Sequence, residues 1–93
     1  ILNIHPSLLP KYGGKGMYGM NVHNKIIENK ESKSGISIHY VNKYYDEGEI
    51  ITQKTIEITY PTNALNLSKE IHKLEMKHFP ITIEKLLNNF NNE

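Results

Sequence analysis

A chain of 93 residues holds one small core and is too short for two. With 38% hydrophobic and 23% charged residues it has the composition of a folded chain, and a formal net charge of +1 sets up no field toward nucleic acid or lipid. The absence of Arg argues against a dedicated nucleic-acid reader, the absence of Cys points to a reducing, cytoplasmic setting without disulfides or thiolate–metal frameworks, and no apolar run is long enough to span a bilayer.

Taken in chain order, residues 1–4 are short, apolar and β-favouring and read as a buried strand. Pro6, Pro10, Gly13, Gly14 and Gly16 then punctuate a long loop in which neither helix nor ladder can propagate. A helix is expected over residues 17–28, with Met17 and Met20 as ordinary helix packing, followed by an exposed turn over 29–34. Residues 35–41 alternate: Ile36, Ile38 and Tyr40 share one face, Ser37, His39 and Val41 the other, which is the period of a strand. A polar loop over 42–49 leads to a second β-rich run, 50–58, expected to pair antiparallel with the first. Pro61 and Thr62 open a helix capped by Thr62 or Asn63. Its stripe is Leu67, Ile71, Leu74 and His78, continued by Phe79, Ile83, Leu86 and Leu87 beyond Pro80, which is expected to kink or restart it. The polar tail 88–93 is expected to fray. A lone first strand feeding a helix belongs in a parallel α/β sheet whose other strands lie outside this chain.

Asn3 and His5 stand two apart and share a face at the C-terminal end of the first strand, where open α/β sheets place their ligands. An amide and an imidazole there can donate two hydrogen bonds to one developing oxyanion. The plainer reading is a turn-capping Asn and a structural His. Asp46 lies in the loop between two strands, where it can orient an imidazolium or merely form a turn. Ser7 beside His5 lacks the glycine-flanked elbow of a serine hydrolase. His23 and His78 belong to no motif and read as structural. His72 and Glu75 are three apart, hence on one helix face, and without further support read as a surface pair.

The segment NIHPSLLPKYGG (3–14) resembles the signature of the folate-dependent formyltransferase superfamily. SGISIHYV (34–41) with YDEGEII (45–51) is similar to its second motif, and IHKLEMKHFP (71–80) to its third. The resemblance implies an α/β, Rossmann-like formyltransferase fold with a mixed sheet: one parallel strand, an antiparallel strand pair and a long C-terminal helix. Residues 1–93, which begin without Met, would be the C-terminal portion of one such domain, its N-terminal half absent. A homodimer is one arrangement that would cover the apolar edges so exposed.

By the same resemblance, Asn3, His5 and Asp46 match catalytic residues, and Ser37 and His39 match positions supporting the Asp and an ordered water. Asn42, Tyr45, Glu47 and Gly48 match the loop that closes over the folate pterin. Pro6 lines the site, Glu75 binds the ribose hydroxyls of the acceptor, and His72 lies near the nucleotide. Gly16 stands where some relatives carry a His. The implied co-substrate is 10-formyltetrahydrofolate, with no metal, no nucleic acid and no membrane partner. The branch that formylates glycinamide ribonucleotide for purine synthesis fits Pro6 after His5, the KYGG run, and His72 with Glu75. The alternatives are a formyltetrahydrofolate deformylase, which tends to carry a His at the place of Pro6, a methionyl-tRNA formyltransferase, and an inactive truncated fragment.

Overall fold

Two antiparallel pairings organise the chain. The computed structural model describes residues 2–41 and 49–91. Strand β1 (Leu2–His5) pairs with β2 (Lys33–Tyr40), setting Asn3 opposite His39, Ile4 opposite Ile38 and His5 opposite Ser37. Strand β3 (Ile50–Glu57) pairs along the other side of β2, with an irregularity at Ile38/His39, so the sheet order is β1-β2-β3. Helices α1 (Met20–Glu28) and α2 (Ala64–Asn91) complete the α/β arrangement. The antiparallel pair and the long C-terminal helix are those expected. The first strand also finds an antiparallel neighbour, and among the described residues no pairing is parallel. Its outer edge is the one place left on β1 for a parallel strand.

The central strand is buried on both faces, from Ser34 through His39. Ile36 packs with Val22 and Ile26 of α1 and with Leu67 and Ile71 of α2, while Ile4 and Met17 lean on this cluster from its edge. Burying each such aliphatic side chain contributes about 1.5–3 kcal/mol relative to leaving it in water. On the opposite face the loop after β1 lies against the sheet, with Leu9 only 6% exposed. Close approach fixes Gly35: a Cβ there would run into the Lys54 carbonyl oxygen and the Leu8 side chain.

Helix α1 begins three residues later than its apolar spacing suggests. Gly16 (φ 82°) and Gly19 (φ 55°) take left-handed backbone, which a helix cannot include. Met17 therefore reaches the core from the loop, and Met20 is 41% exposed, so they are not the helical packing pair expected. The helix ends in a Schellman arrangement. Lys30, at φ 52°, donates its N–H to the Ile27 carbonyl at 3.0 Å, and Glu31 donates to the Ile26 carbonyl at 3.2 Å. Helix α2 is capped as expected by Asn63, whose Oδ1 accepts the Asn66 N–H at 2.8 Å. Pro80 does not end it. That residue is on the exposed side, where water can serve the carbonyl that lacks a donor, and the Thr82 hydroxyl donates to the His78 carbonyl at 2.9 Å. Leu87, read as part of the helical stripe, is 58% exposed, whereas Thr82, five residues earlier, is buried.

Candidate active site

Antiparallel pairing does for the site what strand period alone cannot. Because directly opposed residues share a face, the register gathers Asn3, His5, Ser37 and His39 on one side of the sheet. Gln53, opposite Ser37 on β3, joins them. The Ser37 hydroxyl donates to the Ser7 carbonyl at 2.7 Å and accepts from the Leu9 N–H and from Gln53 Nε2, each at 2.9 Å. Gln53 Nε2 also donates to the Leu9 carbonyl at 2.9 Å. These two side chains stitch the loop after β1 onto the sheet. Gln53 was missed in the sequence because its place opposite Ser37 is set by register, although its parity within β3 was readable.

His5 is 4% exposed, and its Nε2 lies 2.7 Å from the Tyr12 carbonyl oxygen. A carbonyl can only accept, so Nε2 carries the proton. By the same argument His39 donates from Nδ1 to its neighbour's carbonyl, that of Tyr40, at 3.0 Å. Asn3, by contrast, is exposed. Asn3, His5 and Pro6 form one wall of a cleft of about 630 Å³, and the glycine-rich segment from Gly14 to Gly19 forms the other. Gly16 leaves open the space its side chain would fill: a Cβ built there meets nothing within 4 Å. An exposed amide beside a buried imidazole suits a substrate oxygen arriving from solvent.

Asp46, with Asn42, Tyr45, Glu47 and Gly48, lies outside the described residues. The base of that loop is described: the Tyr40 N–H donates to the Glu49 carbonyl at 3.0 Å, next to the Asn3–His39 pair.

On α2, Glu75 Oε1 lies 3.8 Å from His72 Nδ1. Burial raises the Glu75 carboxyl above its ordinary value, opposed by the charges of His72 and, across the fold, His5. The third member of this group had no motif. His23 of α1 is 5% exposed, and burial, then the charge of His5, lowers its pKa. Its Nδ1 is buried with no hydrogen-bond partner among the described residues. The readable signal was its position three before Ile26, on the inward stripe of α1. Thus His5 on β1 lies within electrostatic reach of His23 on α1 and of Glu75 on α2. His78, lowered by burial and by Lys54, Lys77 and Lys85, lines a separate groove between β3 and α2. Among the described residues no three His, Cys, Asp or Glu side chains gather as metal ligands, and no helix is long and apolar enough to cross a membrane.

The family model described as "Formyl transferase" matches residues 1–83. The chain is 44% identical over 78 residues to the chloroplastic phosphoribosylglycinamide formyltransferase of Arabidopsis thaliana, covering 80% of this chain and 27% of that one. It is 40% identical over 87 residues to the Bacillus subtilis phosphoribosylglycinamide formyltransferase, covering 94% of this chain and 42% of the other. The crystal structure of the Bacillus halodurans phosphoribosylglycinamide formyltransferase superposes with a TM-score of 0.82 at 34% identity, over 94% of this chain and 42% of that one. This chain therefore spans less than half the length of these relatives. With the family model matching most of its residues, the chain belongs to the formyl transferase family.

Proposed function

We propose that the protein takes part in transferring a formyl group from 10-formyltetrahydrofolate to the amine of glycinamide ribonucleotide, a step of purine synthesis. The names of the relatives support the formyl transfer and its acceptor, and the folate donor is what the resemblance of the sequence motifs implies. One observation carries the chemistry: Asn3 and His5, two apart on β1, share a face of the sheet and both line the cleft. A cytoplasmic setting rests on the lack of Cys, although the Arabidopsis relative is named as chloroplastic.

The folate supplies an activated formyl group. The amine attacks its carbon, a C–N bond forms and the carbonyl π pair moves to oxygen. His5 and Asn3 hold that oxygen, each well-aimed donor being worth roughly 100- to 1,000-fold in rate. Asp46, acting with a water, takes the proton from the new ammonium and favours the charged form of His5, a contribution of about 100- to 10,000-fold. As the carbonyl re-forms, the bond to the folate nitrogen breaks and that nitrogen takes up a proton. Glu75, sheltered on α2 and within the electrostatic reach of His5, accepts hydrogen bonds from ribose hydroxyls in this reading. Ser37 and His39 fix the floor beneath the donors.

Formyl acceptors offered to the complete enzyme test this reading. Glycinamide ribonucleotide should be formylated far faster than methionyl-tRNA, and release of formate to water should be slow. Formate release as the main reaction would make it a deformylase.

A further inference from the structure

We propose that Tyr12 is a positioning residue for His5, holding the imidazole through its backbone carbonyl while its phenol locks the turn that presents that carbonyl. Three observations carry the proposal. First, the His5 Nε2–H meets the Tyr12 oxygen at 2.7 Å. Second, Tyr12 sits at φ 56°, left-handed backbone that a bulky L-residue adopts only where its surroundings impose it. Third, those surroundings are present: the phenol donates to Glu31 Oε2 at 2.9 Å and accepts from Asn29 Nδ2 at 2.9 Å.

Glu31 is itself fixed. It follows the Schellman turn of α1, its carboxylate meets Lys11 Nζ at 3.4 Å, and its carbonyl accepts the Tyr60 hydroxyl at 2.9 Å. The bond from Tyr12 lowers the Glu31 pKa, as a phenol donating to a carboxylate should. Ser7 steadies the same stretch from the other side, donating to the Lys11 carbonyl at 2.8 Å. The end of α1 thus reaches His5 through one side chain and its own carbonyl. With Nε2–H committed to Tyr12, the ring is held in one orientation and its neutral form in one tautomer; Nδ1, protonated in the imidazolium, is the nitrogen that donates to the oxyanion.

The proposal rests on the reading of His5 as an oxyanion donor, and its test separates the two. In the complete enzyme, Tyr12→Phe keeps the ring and loses both phenol bonds. We expect kcat to fall about tenfold with KM for both substrates within about twofold, the pattern of lost transition-state alignment. Long-range 1H–15N spectra should show neutral His5 as a single Nε2–H tautomer in the parent enzyme and as a mixture in the variant. Glu31→Ala should follow Tyr12→Phe, and Glu31→Gln, which retains an acceptor for the phenol, should restore most of the rate. Turnover within about twofold of the parent in both Tyr12→Phe and Glu31→Ala, with the tautomer unchanged, overturns the proposal. If His5→Asn retains normal turnover, the reading of His5 falls instead, and the spectra still decide whether Tyr12 holds the ring.

Discussion

Glu75 Oε1 lies 3.8 Å from His72 Nδ1, one turn apart on α2, and only the carboxylate is sheltered: the His72 side chain is 72% exposed, that of Glu75 25%. Burial raises the Glu75 carboxyl, with His72 and His5 pulling the other way. A carboxyl whose folded pKa lies above its unfolded value binds the proton more tightly in the folded state. Its stabilising contribution is complete below the unfolded value and is lost as pH rises through the folded one. Glu75→Gln should therefore melt higher than the parent at neutral pH, and the two Tm values should converge under acid conditions. The gain should come with a functional loss: KM for the ribonucleotide rises in Glu75→Gln, and rises further in Glu75→Ala, with a smaller effect on turnover. A neutral-pH Tm below the parent would show that the charged carboxylate is instead a net stabiliser.

His23 gives the opposite pH dependence. Its pKa is lowered, first by burial and then by His5, so the unfolded chain binds the proton more tightly. The corresponding stability is present above the ordinary imidazole value of 6.5 and is lost as pH falls through the depressed folded value. His23→Leu should flatten this acid limb in a series of denaturant melts. His5→Asn should raise the His23 pKa, followed by its ring-proton shifts, because one of the two causes is removed. An unchanged His23 titration in His5→Asn would mean that the two rings do not sense each other.

Strand parity made part of this site readable in advance. Asn3 with His5, and Ser37 with His39, fall on common faces because strand side chains alternate, and the antiparallel register then places the two pairs together. That register was not readable: residues 1–4 are a short apolar run, which fits parallel and antiparallel neighbours equally well. The start of α1 was misplaced because apolar spacing carries no information about φ, and Gly16 and Gly19 decide the matter through positive φ. Pro80 was expected to kink or restart α2; the helix continues through it, and its exposed position lets water serve the carbonyl that lacks a donor. Tyr12 was invisible as a site residue because it acts through a backbone carbonyl, a group every residue has. Asp46 was singled out by resemblance alone, and it lies outside the described residues.

Ser37 offers a test of the stitched loop. Its hydroxyl serves the Ser7 carbonyl, the Leu9 N–H and Gln53 Nε2, and the residue is fully buried. Ser37→Ala leaves the Leu9 N–H and the Ser7 carbonyl without that partner in a site closed to water. The expected loss is about 1–3 kcal/mol of folding stability, the usual cost of an unmet buried polar group. Urea unfolding of the complete enzyme measures it. A loss below about 0.5 kcal/mol would mean that the loop re-pairs without the hydroxyl.

The proposed mechanism makes a sharper demand on the same face of the sheet. If His5 and Asn3 act on the oxyanion, replacing either removes an interaction that forms mainly in the transition state. His5→Asn and Asn3→Ala should each lower kcat by roughly 100- to 1,000-fold, with folate binding nearly unchanged. Asp46→Asn keeps the size of the loop side chain while removing the charge that favours the imidazolium and accepts the relayed proton. Its loss should therefore be comparable to that of His5→Asn. The double variant should retain much more activity than the product of the two single losses allows, since residues acting as a unit are not additive. Steady-state kinetics on the complete enzyme, with folate affinity measured separately, distinguishes these outcomes. Near-normal turnover in Asp46→Asn would remove the acid from the proton relay and return it to the role of a turn former, leaving the two donors on β1 to account for the catalysis.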